Sequence, residues 1–150
     1  MRLWGHPIHP MLVHFPVAFW TVAAAAYIAG AAGVTEAPAI AKLSNGAGLI
    51  TALLAMVAGL LELRSIDSGS EAMRVATSHM MVMATAWVCF LLALVLTMSE
   101  GVANDGSTAQ LAGVFGASVG FVLMSVGAWL GGQLVYEFGI GGGRSRQNRK

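Results

Sequence analysis

Four stretches of this chain carry no Asp, Glu, Lys or Arg: residues 3–35, 43–61, 75–99 and 106–136. A helix of about 20 residues crosses about 30 Å of hydrocarbon, and each stretch is long enough to hold one. Charged residues are 10% of the 150-residue chain and hydrophobic ones 57%. A soluble domain carries about 25% charged residues. There are too few solvated side chains here to cover a globule, which excludes a soluble enzyme, a nucleic-acid-binding domain and a disordered chain. The net charge of +1 also gives no basic field for nucleic acid. The single Cys89 excludes disulfides and thiolate-held iron–sulfur or zinc sites within the chain.

These stretches predict an all-α fold, an integral membrane antiparallel four-helix transmembrane bundle with the lipid bilayer as its solvent. The bundle is expected over residues 1–138, with spans at about 10–32, 47–63, 75–98 and 111–135. The first stretch is too long for a cleavable signal and is read as a permanent span. Pro16 lies inside that span and is expected to bend it. Ser44-Asn45-Gly46 reads as the N-terminal boundary of the second span. Residues 64–74 and 101–107 read as polar loops. The tail, residues 139–150, is Gly-rich and then basic, and is expected to be disordered.

The basic residues set an orientation. Four spans put the N-terminus, the second connection and the C-terminus on one side. That side holds Arg2, Arg64, Arg74, Arg144, Arg146, Arg149 and Lys150, against Lys42 alone on the other. Lys and Arg favour the cytoplasmic face, so the expected location is a bacterial inner membrane, multi-pass, with both termini cytoplasmic.

All four histidines map to that same end. His6 and His9 precede the first span, His14 lies one turn into it, and His79 lies one turn into the third. Glu62 closes the second span there. Ionisable residues at membrane depth are rare and face the bundle interior. His14 and His79 share a depth on helices that run the same way, which suits two axial ligands of a non-covalent haem b. Ala18, Thr21 and Ala25 follow His14 at helical offsets and leave a small face. Gly127 and Gly131 do the same on the fourth span. A haem there would support membrane electron transfer with a quinone or another redox partner. An alternative reading is a divalent metal ion held among His6, His9, His14, Glu62 and His79, for transport or sensing. A third is a non-catalytic membrane subunit whose polar cluster holds helices together. No catalytic residue stands out, and enzyme activity is left open.

Glycine marks one face of the fourth span. Gly113, Gly116, Gly120, Gly127 and Gly131 fall at helical offsets and include two GxxxG pairs, which lets another backbone approach closely. Close packing within the bundle is the favoured reading and a homodimer the alternative. Trp20 and Trp87 read as packing residues. Trp129, Tyr136 and Phe138 read as an interfacial belt.

The run Gly5-His6-Pro7-Ile8-His9-Pro10-Met11-Leu12-Val13-His14-Phe15-Pro16 resembles the signature of a bacterial membrane family called domain of unknown function 2231. The likeness extends to Gly59-Leu60-Leu61-Glu62, to Ser78-His79 and to the run from Trp129 to Tyr136, and so covers the whole chain. The resemblance implies a four-helix integral membrane protein and no established activity.

Overall fold

The computed structural model describes residues 2–3, 6–99 and 106–141, with side chains for 8–99 and 108–141. Residues Arg2–Leu3 and His6–Pro7 pair as two short antiparallel strands, β1 and β2, with Leu3 opposite His6. The rest of the order is helical: α1 Ile8–Leu12, α2 His14–Ala31, α3 Ala37–Leu63, α4 Glu71–Met98 and α5 Gly106–Tyr136. Four segments among the described residues are long and apolar enough to cross a membrane: Ile8–Ala31, Ala37–Leu63, Glu71–Met98 and Thr108–Tyr136. The fold is the expected all-α membrane bundle. Helix α2 lies along α3 and α4 along α5, with α2–α5 and α3–α4 contacts closing the ring.

Proline explains the divided first span. Pro16 has no N–H for the carbonyl of Leu12, and its ring crowds that carbonyl. The helix is interrupted one turn upstream, at Val13. Bonds from Val13 N–H to the His9 carbonyl (3.1 Å) and from Val17 N–H to the Val13 carbonyl (3.2 Å) carry the chain across the break.

The second span begins ten residues earlier than expected, at Ala37 rather than residue 47. Pro38 sits in its first turn, where a missing N–H costs nothing. Ser44-Asn45-Gly46 is therefore not a boundary. Asn45 is fully buried, and its Nδ2 donates to the Phe90 carbonyl at 2.9 Å and to the Tyr27 hydroxyl at 3.3 Å. A side chain that looks like a turn signal is used instead to tie three helices together. Helix α4 starts at Glu71, earlier than expected, because the Ser70 hydroxyl caps it by accepting from Met73 N–H at 3.1 Å. Helix α5 is likewise longer than its expected 111–135.

The core is built from alanine and a few large rings. Trp20 and Phe90 are fully buried and stacked, with ring centroids 4.6 Å apart and planes 6° from parallel. Ala24, Ala41, Ala52, Ala86, Ala93 and Ala117 belong to the same buried cluster. Lipid tails are as apolar as any side chain, so small residues that permit close approach drive association here. The glycine face of α5 does this work inside the bundle. Gly116 lies against Ala93 and the Cys89 carbonyl, Gly120 against Phe90, Gly127 against Met83 and Gly131 against His79. That face packs on α4, as the favoured reading of close packing within the bundle expects.

At the end of α5, Gly139 turns the chain at φ +66° and Ile140 N–H returns to the Leu134 carbonyl at 2.8 Å. Gly141 then lies beside Pro10 and Glu62. Of the tail expected to be disordered, residues 139–150, the first three are ordered in this way and residues 142–150 lie outside the described residues.

Candidate functional site

The N-terminal segment, the C-terminal turns of α3 and α5 and the N-terminal turns of α4 meet at one end of the bundle. His9 reaches from α1 to α3, where its Nδ1 lies 2.7 Å from the Ala55 carbonyl. His79 reaches from α4 to α5, where its Nδ1 lies 2.8 Å from the Gly127 carbonyl. A carbonyl oxygen can only accept, so Nδ1 carries the hydrogen in both rings. In the neutral form each Nε2 then carries the lone pair. The two imidazoles face each other edge to face, with centroids 6.3 Å apart and planes 87° apart.

Glycine makes room for both rings. A methyl added at Gly59 would lie 3.0 Å from His9 Cε1, and one added at Gly131 would lie 3.3 Å from His79 Cε1. A side chain at either position would press on the ring. Gly59→Val is expected to push His9 off Ala55 and to cost about 1–3 kcal/mol, the usual range for overpacking. Thermal unfolding in detergent measures the cost, and the His9 imidazole resonances report the lost hydrogen bond. Unchanged resonances would show that the ring does not depend on Gly59.

The sequence-expected residues divide as follows. The ring that meets His79 is that of His9, not His14. His14 is exposed on α2, with its Nδ1 3.4 Å from the Met11 carbonyl. Ala18, Thr21 and Ala25, the small face beside His14, are exposed with it. The whole stripe therefore turns out of the bundle, while Gly127 and Gly131 turn inward toward α4. Glu62 is half-buried at the same end, beside Gly141. The side chain of His6 lies outside the described residues. Among the described residues no three His, Cys, Asp or Glu side chains gather as a metal-binding group. Of the expected metal set of His6, His9, His14, Glu62 and His79, the described side chains bring His9 and His79 together as a pair.

A family model matches the chain across residues 5–144. The chain belongs to the DUF2231 family. That family is described as predicted membrane proteins, in agreement with the four long apolar helices. No curated protein and no solved structure matches the chain. Within this DUF2231 protein, His9, Gly59, His79 and Gly131 come from four separate parts of the chain and meet as two imidazoles seated on two glycines.

One further polar group escaped the sequence reading. Asn45, Tyr27 and Thr97 form a buried network toward the other end of the bundle. The available signal was Asn45 itself, an amide inside the apolar run of residues 43–61.

Proposed function

We propose that this DUF2231 protein is a bacterial inner-membrane electron carrier that holds one b-type haem between His9 and His79. The observation that supports this reading is the paired anchoring of the imidazoles. A metal-ligating histidine characteristically donates its second ring N–H to a carbonyl or carboxylate, which fixes the ring and its tautomer. Both rings do so, through Ala55 and Gly127. A haem iron needs only two protein ligands, which a pair supplies. A bare zinc site needs three or four. Gly59 and Gly131 lie against the Cε1–Nδ1 edge of each ring and help hold it on its carbonyl, leaving Nε2 on the far edge. When bound, the haem supplies one-electron chemistry. The chain's own part is to fix both rings and to exclude water. A quinone or another membrane redox partner would exchange the electron. The excess of Lys and Arg at this end supports a cytoplasmic position for the site and both termini.

The test is the visible spectrum of protein purified in detergent after haem supplementation. An alpha-band in the reduced-minus-oxidised difference is expected. His9→Ala and His79→Ala should each abolish it, and His14→Ala should leave it intact. No alpha-band in the wild type refutes the reading, and dependence on His14 rather than His9 reassigns the ligand.

A second reading has its own observation. Each imidazole already bridges two helices, α1 to α3 and α4 to α5. If the pair is only a clasp, the protein is a non-catalytic membrane subunit. His79→Ala then lowers the unfolding midpoint and no pigment is found.

A further inference from the structure

We propose that the end of the bundle opposite the imidazole pair carries a second site, which takes a phosphate-type anion supplied by a lipid headgroup. A cavity of about 280 Å³ opens there, where α2 ends, α3 begins, α4 ends and α5 begins. All four helices line it: Ala26, Tyr27 and Gly30 from α2, Pro38 and Lys42 from α3, Thr97 from α4 and Gln110 from α5. One wall is apolar. The rest brings together a cation, an amide and two hydroxyls.

The hydrogen-bond directions decide what this wall offers. Thr97 Oγ1 donates to the Ala93 carbonyl at 2.7 Å, so its own hydrogen is committed. Asn45 Nδ2 donates onto the Tyr27 oxygen at 3.3 Å, so that oxygen is already an acceptor. The Tyr27 hydrogen is left to Thr97, at 3.3 Å. O–H···O bonds usually lie near 2.7–2.8 Å, so this one is weak. An anionic oxygen in the cavity would draw the same hydrogen into a shorter, charge-assisted bond. The Gln110 amide and the Lys42 ammonium add donors from two other helices. Lys42 favours an anion over a neutral carbonyl ligand. The position favours a lipid as the source, because the cavity lies at the helix ends, where headgroups meet the bundle, and its Ala26–Gly30–Pro38 side suits glycerol and acyl carbons.

The test uses full-length protein stripped of lipid in detergent, with the unfolding midpoint titrated against three probes: dioleoyl phosphatidylglycerol, dioleoylglycerol and inorganic phosphate. Phosphatidylglycerol should raise the midpoint and dioleoylglycerol should not. Lys42→Gln should weaken the phosphatidylglycerol response about tenfold or more, the loss expected for one charged hydrogen bond. Lys42→Arg should retain it. Gln110→Ala should weaken it too. Each variant is compared with its own unliganded midpoint, so a change in basal stability does not enter the response. A rise with inorganic phosphate alone, lost in Lys42→Gln, supports the anion site and assigns it to a free ion. Equal responses to phosphatidylglycerol and dioleoylglycerol overturn the proposal. So does wild-type affinity in both Lys42→Gln and Gln110→Ala, or a midpoint raised only by an uncharged quinone.

Discussion

Gly48→Leu is expected to abolish the folded bundle, and Gly48→Ala to weaken it by about 1–3 kcal/mol. A methyl at Gly48 would lie 2.5 Å from Trp20 Cδ1 and 2.6 Å from Trp20 Nε1. Trp20 has little room to move: it is fully buried and stacked on Phe90. The contact joins α2 to α3 directly and reaches α4 through the stack, so one added methyl disturbs three helices. Interiors packed to this density transmit such strain. The fraction of monodisperse protein and the unfolding midpoint in detergent measure the loss. A double-mutant cycle isolates its origin. Trp20→Phe in the Gly48→Ala background should restore part of the midpoint, with an interaction term of about 1 kcal/mol or more. Strict additivity of the two changes would show that Trp20 is not what Gly48 accommodates.

Asn45→Asp is the second large effect expected, a loss of about 2.5–3.5 kcal/mol at neutral pH. The change is nearly isosteric, so packing is preserved and chemistry decides. Asn45 Nδ2 is a donor to two oxygens, the Phe90 carbonyl and the Tyr27 hydroxyl. A carboxylate there turns the Phe90 bond into oxygen facing oxygen inside a fully buried pocket, while the Tyr27 hydroxyl can turn to donate to it. Protonation restores one donor. The variant should therefore stand closest to the wild type in acid, and its deficit should grow as pH rises above about 4, the ordinary range for Asp. Unfolding midpoints of both proteins measured from pH 4 to 8 check this. A deficit independent of pH would mean that Asn45 acts through shape and not through its amide.

The sequence made some of this architecture legible and hid the rest for a physical reason. Length and hydropathy revealed four spans, because crossing hydrocarbon demands long uncharged runs. The glycine face of α5 was legible too, because small residues mark a contact in lipid directly. Depth along each helix could be counted, which placed the histidines at one end. Rotation about a helix axis could not. In water, polarity distinguishes the inner face from the outer, but in a membrane both are apolar. His14 and His9 lie at neighbouring depths, yet one is exposed on α2 and the other meets His79. The break at Val13 sharpens this difference, since an angle counted along an unbroken helix from His14 does not carry over to α1. Asn45 was misread by the opposite route. Locally it resembles the start of a helix, and only its partners on α2 and α4, 18 and 45 residues away in sequence, make it a core residue.

Helix α1 is five residues long. An isolated helix of that length does not persist in water, since nucleation costs more than one turn of hydrogen bonds returns. Its order is therefore borrowed. α3 lends most of it, through the His9–Ala55 bond and the close approach at Gly59. The interruption at Val13 uncouples α1 from the long lever of α2. Whatever loosens the grip of α3 on His9 frees one turn of chain, not a whole span. The imidazole pair can thus come apart at the cost of a local opening, while the four long helices keep their places in the membrane.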